Sequence, residues 1–177
     1  MRPSVMSSKP APLPHLTLVL GGARSGKSRH AEALVMQQPG PWRYVATGQA
    51  FDDEMRARIA AHRAGRAPGW MTTEAPVHLA EALSAPGPVL VDCLTLWLTN
   101  LMLGGHAIDA ETAGLERAIA ARAGVTVLVS NEVGLGIVPE HALARRFRDA
   151  AGVLHQRLAA RAGSVVLMVA GIPMKVK

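Results

Sequence analysis

Residues 21–28 read Gly21-Gly22-Ala23-Arg24-Ser25-Gly26-Lys27-Ser28 and match the pattern G-x-x-x-x-G-K-[ST]. Glycines let a backbone curl so that its N–H groups converge on phosphate oxygens, and a helix starting just beyond adds a favourable dipole. Lys27 supplies a point charge to the phosphates, and Ser28 is the residue type that ligates Mg²⁺ there. The plain alternative is a glycine-rich turn joining strand to helix, and the complete pattern in a strand–turn–helix context argues against it. Asp92 ends the apolar run that starts at Val89. That is the place from which P-loop enzymes hold Mg²⁺ with a carboxylate, directly or through water. Capping the helix that begins at Leu94 is the other role open to Asp92, and the two are compatible.

A second candidate lies at residues 52–63. On a helix, Glu54, Arg58 and His62 fall at successive i+4 positions and share one face, while Met55 and Ile59 form a buried one. A neutral imidazole is a competent nucleophile toward phosphorus, and its phosphoramidate is a good carrier. Spacing alone also suits a solvated or structural histidine. Arg63 and Arg66 follow closely, and they either steady phosphates or complement the dipole at a helix C-terminus.

The elements that must hold these groups are short and alternate. Residues 16–20, 43–47, 89–92, 126–131 and 165–170 read as buried strands, mostly continuous rather than alternating in polarity. Helical stretches lie at 27–37, 53–64 (ended by Gly65), 94–103, 110–123 and 141–161. In the last, Leu143, Phe147, Ala150, Leu154 and Leu158 make one apolar stripe. Such alternation implies right-handed crossovers, a mostly parallel sheet flanked by helices, and ligands at the carboxyl ends of the strands. Residues 131–140, with Gly134 and Gly136 after a strand, form a strand-end loop suited to substrate or subunit contact. The apolar stretch 94–103 predicts a covered surface, at a core or between subunits. Trp97 within it is expected in the core or an interface, whereas Trp70 either stacks on a ligand or packs internally.

The 177 residues fit one domain, taken as 15–177, after a proline-bearing extension at 1–14 (Pro3, Pro10, Pro12, Pro14) that reads as flexible and lacks a signal-peptide core. The apolar fraction is 49% but aromatics are only 3%, so the interior is aliphatic. A single cysteine, Cys93, excludes an internal disulfide and suits a reducing cytoplasm. The longest apolar run contains Asp92 and falls short of the roughly 20 residues of a membrane-spanning helix. A net charge of +6 favours anionic partners, yet the Arg and Lys residues are dispersed and carry few interleaved aromatics, which argues against nucleic acid.

Taken together, residues 21–32, Thr47, Asp53-Glu54-Met55, Arg58-Ile59, His62-Arg63 and Arg66 resemble the bifunctional adenosylcobinamide kinase/adenosylcobinamide-phosphate guanylyltransferase family of cobalamin biosynthesis. The match continues through Trp70, Thr72, Glu74, residues 92–95, residues 130–140, Arg146-Phe147-Arg148-Asp149, Gly152 and Gly171-Ile172-Pro173 to Lys175. The resemblance implies a P-loop, RecA-like fold, a homotrimer, and two reactions. A nucleoside triphosphate (GTP, or ATP in the kinase step) phosphorylates a hydroxyl of adenosylcobinamide. His62 then takes GMP from GTP and passes it to the new phosphate, giving adenosylcobinamide-GDP. By position it implies nucleotide contacts at residues 21–28, Thr47, Gly48, Gln49, Arg63, Ala64, Gly65, Arg66, Glu74 and Asp92, with Mg²⁺ at Ser28 and Asp92. Two other readings compete: a single-function P-loop kinase with a structural His62, and a GTP-binding switch or RecA-like ATPase. The switch lacks an Asn-Lys-x-Asp guanine-reading sequence, and the ATPase lacks a concentrated basic strip with aromatics.

Overall fold

The computed structural model describes residues 11–50 and 53–177, apart from the side chains of residues 54, 55, 58 and 61–63. Strands and helices alternate as β1 (Leu13–Gly21), α1 (Lys27–Val35), β2 (Trp42–Ala46), α2 (Asp53–Ala64), β3 (Trp70–Glu74), α3 (Leu79–Ala82) and β4 (Val89–Asp92). Then follow α4 (Leu94–Leu103), α5 (Ile108–Ala120), β5 (Thr126–Asn131), α6 (Ala142–Arg161), β6 (Ala162–Val169) and β7 (Ile172–Lys175). The strands form one sheet in the order β3-β2-β4-β5-β1-β6-β7. Every neighbouring pair is parallel except β6 with β7.

The uninterrupted apolar strands arise because both faces of the sheet are covered. Along the central strands, alternate side chains enter opposite cores. Leu18, Val45, Val89, Val91 and Leu128 pack with Leu79, Leu94, Trp97, Leu115, Leu154 and Leu158 from α3 to α6. Val19, Tyr44, Leu90, Val127 and Val129 pack with Ala31 and Val35 of α1. Most of the apolar stretch of α4 is covered by this chain itself: Leu94, Trp97, Leu98 and Leu101 are buried, and the Trp97 indole donates to Val77 O at 2.7 Å, whereas Leu103 is exposed. Trp70 packs internally too, its ring centroid 5.7 Å from that of Trp42 and 6.0 Å from that of Tyr44.

Both edges depart from the sequence expectation. β3 reads Trp-Met-Thr-Thr-Glu and is half exposed, so it has no continuous apolar signature. β7 contains Pro173, which confines a strand to an edge, and its four residues are all exposed. β1 begins at Leu13, so Pro14 lies within the sheet rather than in an extension.

One charged side chain stitches the loop before β4. Arg122 Nη1 donates to Leu83 O and to Ala85 O (2.6 Å), Nη2 to Gly87 O, and Nε to Thr126 Oγ1 at 3.1 Å. Truncation strands several carbonyls at once. Arg122→Ala is expected to lower stability by about 2–3 kcal/mol. That corresponds to a fall in Tm of roughly 5–10 °C in a calorimetric or circular-dichroism melt. An unchanged Tm would mean that water replaces the guanidinium without cost.

Candidate active site

β1 delivers the phosphate loop. Gly21 ends the strand, Arg24 adopts a left-handed conformation (φ 54°), and Gly26 does so too (φ 88°), immediately before α1. Glycine relieves the strain at Gly26, where an L side chain would be disfavoured. Among the described residues no side chain caps α1, so its first N–H groups point outward, the arrangement that binds anions. Lys27 is buried, and its Nζ donates to Gly22 O at 2.8 Å, which folds the ammonium over the loop. A Cβ at Gly21 would sit 2.5 Å from Ser25 Oγ, a buried hydroxyl with no hydrogen-bond partner among the described residues. Gly171, in the β6–β7 turn, braces the loop from outside by donating its N–H to Ser25 O at 3.1 Å. Ser28 follows in the first turn of α1 and is half-buried.

Two strands along, β4 ends at Asp92. The Tyr44 hydroxyl donates to Asp92 Oδ2 at 2.9 Å. Burial, and then the Asp92 carboxylate, push the Tyr44 pKa far above its ordinary value, against the opposing pull of Arg66, so the phenol stays a donor. Arg66 lies behind Tyr44, its guanidinium carbon 3.2 Å from the ring centroid. Its Nη1 donates to Thr72 Oγ1 at 3.1 Å, and its Nε lies 3.7 Å from Glu32 Oε1. Arg66 is thus packed against side chains of β2, β3 and α1. It backs the Asp92 carboxylate through Tyr44.

Thr47 is likewise part of the frame. It is fully buried, accepts from Cys93 N at 2.8 Å and donates to Cys93 O at 2.7 Å. Asn100 holds the same turn by donating to Thr47 O at 2.8 Å and Pro76 O at 2.9 Å. Burial pushes the Cys93 thiol pKa up, with Asp92 adding to the effect, so Cys93 packs as a neutral group. Gly48 is half-buried and Gln49 exposed in the segment after β2, and Glu74 is exposed at the end of β3. Ala64 ends α2, and Gly65 follows it. α2 is helical throughout its span, so the i+4 spacing of Glu54, Arg58 and His62 holds on its backbone. The side chains of His62 and Arg63 lie outside the described residues.

β5 stands between β1 and β4, which brings the phosphate loop, Asn131 and Asp92 to one carboxyl edge. Asn131 is in register with Gly21, and its amide donates to Thr95 Oγ1 at 2.9 Å. Glu132 N donates to Gly21 O at 3.0 Å. Sequence reasoning missed Tyr44 and Glu132. Tyr44 carried a usable signal, being the only tyrosine of the chain and lying in a buried strand, where its hydroxyl requires a partner. Glu132 carried none beyond its place in the strand-end loop.

The donor set of Ser28 hydroxyl and Asp92 carboxylate is hard oxygen, which would suit Mg²⁺. Among the described residues no group of three or more His, Cys, Asp and Glu side chains gathers to hold a metal by itself.

A family model described as "Cobinamide kinase / cobinamide phosphate guanyltransferase" matches residues 17–176. The chain belongs to this family. The bifunctional adenosylcobalamin biosynthesis protein CobP of Pseudomonas aeruginosa is 49% identical, over 90% of this chain and 96% of that protein. The similarly named CobU proteins of Salmonella typhimurium and Escherichia coli are 47% and 48% identical, each over 92% of this chain and 99% of theirs. Among solved structures, the flagellar accessory protein FlaH of Methanocaldococcus jannaschii superposes with a TM-score of 0.51 at 13% identity, covering 94% of this chain and 80% of that one. That likeness concerns the fold alone, and it agrees with the P-loop α/β architecture built above.

Proposed function

We propose that this protein phosphorylates adenosylcobinamide and then transfers GMP from GTP to the product, giving adenosylcobinamide-GDP. The observation that carries this reading is the phosphate loop. A left-handed Gly26, an uncapped α1 and an inward-folded Lys27 form a triphosphate cradle in a chain of the cobinamide kinase/guanyltransferase family.

In the first reaction, the loop N–H groups, Lys27 and the N-terminus of α1 neutralise and align the triphosphate of GTP or ATP, which is most of what phosphoryl transfer demands. Ser28 and Asp92 would hold Mg²⁺, which would supply positive charge to the phosphates. Tyr44, Arg66 and Thr47 position Asp92 and the turn after it from behind.

In the second reaction, a His62 imidazole nitrogen bonds to the α-phosphorus of GTP as the bond to the bridging oxygen breaks and pyrophosphate leaves. A phosphate oxygen of the acceptor then displaces the imidazole. This divides a difficult transfer into two displacements. Gly48, Gln49, Arg63, Ala64, Gly65 and Glu74 border the nucleotide on the β2–β3 side. The exposed apolar residues Leu135, Ile137 and Val138 support a contact between copies in a homotrimer. Among the described residues no helix is long and apolar enough to cross a membrane. The buried free thiol of Cys93 supports a cytoplasmic setting.

The test is product identification. Purified protein with Mg²⁺, GTP and cobinamide is expected to yield cobinamide phosphate first and the GDP adduct second, followed by mass spectrometry. Accumulation of the phosphate alone would reduce the assignment to a simple kinase, and the absence of both products would overturn it.

A further inference from the structure

Ser130, His155 and Glu132 form a line of the residue types found in nucleophilic triads. Ser130 Oγ lies 2.7 Å from His155 Nε2, and His155 Nδ1 lies 4.0 Å from Glu132 Oε2. The usual assignment of such a line makes the serine the reactive end. Here that assignment fails, because Ser130 is fully buried and no substrate reaches it. The accessible end is the carboxylate, whose side chain is 24% exposed. Burial lowers the pKa of His155, against the pull of Glu132, so the imidazole stays neutral around pH 7. A neutral ring that accepts the Ser130 proton at Nε2 carries its own hydrogen on Nδ1, facing Glu132.

Several constraints fix the backbone of Glu132 beside the phosphate loop and hold its carboxylate in place. Glu132 N donates to Gly21 O at 3.0 Å, fixing the backbone against the first glycine of the loop. Glu132 Oε1 accepts from Gly134 N at 2.6 Å. A Cβ on Gly134 would lie 2.9 Å from Oε1 and displace it, so the turn needs a glycine to keep the carboxylate where it is.

Asp92 receives the Tyr44 hydroxyl, and Glu32 lies against Arg66. Glu74 is on β3, four strand positions from β1, or about 19 Å at 4.8 Å per strand. Glu132 follows β5, the immediate neighbour of β1.

We propose that Glu132 is the general base of the kinase reaction, with His155 and Ser130 as positioning residues behind it. The acceptor hydroxyl gives its proton to the Glu132 carboxylate as its oxygen bonds to the γ-phosphorus. The bond from that phosphorus to the β–γ bridging oxygen breaks, its electron pair leaves with the nucleoside diphosphate, and the proton later passes to solvent. Guanylyl transfer needs no such base, because its acceptor is a phosphate oxygen already ionised at neutral pH. The two half-reactions therefore depend differently on Glu132.

This assignment rests on the bifunctional reading, and the experiment separates the two. Wild type, Glu132→Gln and Glu132→Asp are assayed with cobinamide plus GTP for the kinase step. The same proteins are assayed with preformed cobinamide phosphate plus GTP for guanylyl transfer. Glu132→Gln is expected to slow phosphorylation at least a hundredfold more than guanylyl transfer. Glu132→Asp, with a carboxylate on a shorter stem, recovers part of the kinase rate. Equal losses in the two assays, including the loss of both through misfolding of the Gln variant without selective recovery in the Asp variant, would make Glu132 a structural clamp and overturn the proposal. Unimpaired phosphorylation by Glu132→Gln overturns it as well. A wild type that phosphorylates nothing removes the bifunctional reading first, and this assignment falls with it.

Discussion

Replacing His62 by alanine is expected to abolish covalent GMP on the protein. With Mg²⁺ and GTP labelled at the α-phosphate, wild type is expected to retain label that survives alkali and is lost in acid, as a phosphoramidate behaves, and the variant retains none. The imidazole is the nucleophile in this scheme, so no slower covalent route remains, and formation of the GDP adduct falls by at least about two orders of magnitude. Phosphorylation of cobinamide stays within a few-fold of wild type, because that step runs from the γ-phosphate to the acceptor hydroxyl without a histidine. The contrast decides between readings. Well-folded, GTP-binding wild type that takes up no label would leave a plain kinase, whereas label on both proteins would move the carrier role to another nucleophile.

Lys27→Ala is expected to slow both reactions. The ammonium is buried against the phosphate loop, held by Gly22 O at 2.8 Å. In a site with restricted water, removing a preorganised charge of this kind lowers turnover by roughly 10²–10³. Steady-state kinase rates and His62 labelling should therefore fall together, while the melting temperature changes little. A loss confined to phosphorylation would mean that GTP serves as guanylyl donor from a pose that does not use the phosphate loop. Paired with His62→Ala, the variant tells whether one cradle supports both chemistries.

Much of this site is legible in the residues themselves. A strand followed by the complete glycine-rich pattern and a helix is local information, and β1 and α1 stand on either side of the loop as it places them. Asp92 at the end of a buried strand is equally local, as are the spans of α2, α4 and β5, each of which keeps its expected bounds. The edges of the sheet are not local. β3 and β7 are strands because a neighbour offers hydrogen bonds to them, and their mixed polarity conceals it.

Arg66 shows the same limit at the level of one side chain. Proximity to His62 in sequence suggests phosphates or a helix end, yet the fold brings Tyr44, Thr72 and Glu32 to it from three other elements. Thr47 gives a similar lesson, since its buried hydroxyl binds the Cys93 backbone rather than facing outward. Glu132 and His155 meet across a strand and a helix whose packing no spacing rule encodes.

The placement of β1 between β5 and β6 has a consequence for how the protein comes into being. The phosphate-binding motif is translated early, but its strand finds its partners in residues 126–131 and 162–168, and its loop is braced by Gly171. Closing such long stretches of chain must precede the contacts that reward closure. A nascent polypeptide halfway through synthesis thus carries the motif without the cradle. The loop and its brace come together only as the last strands dock.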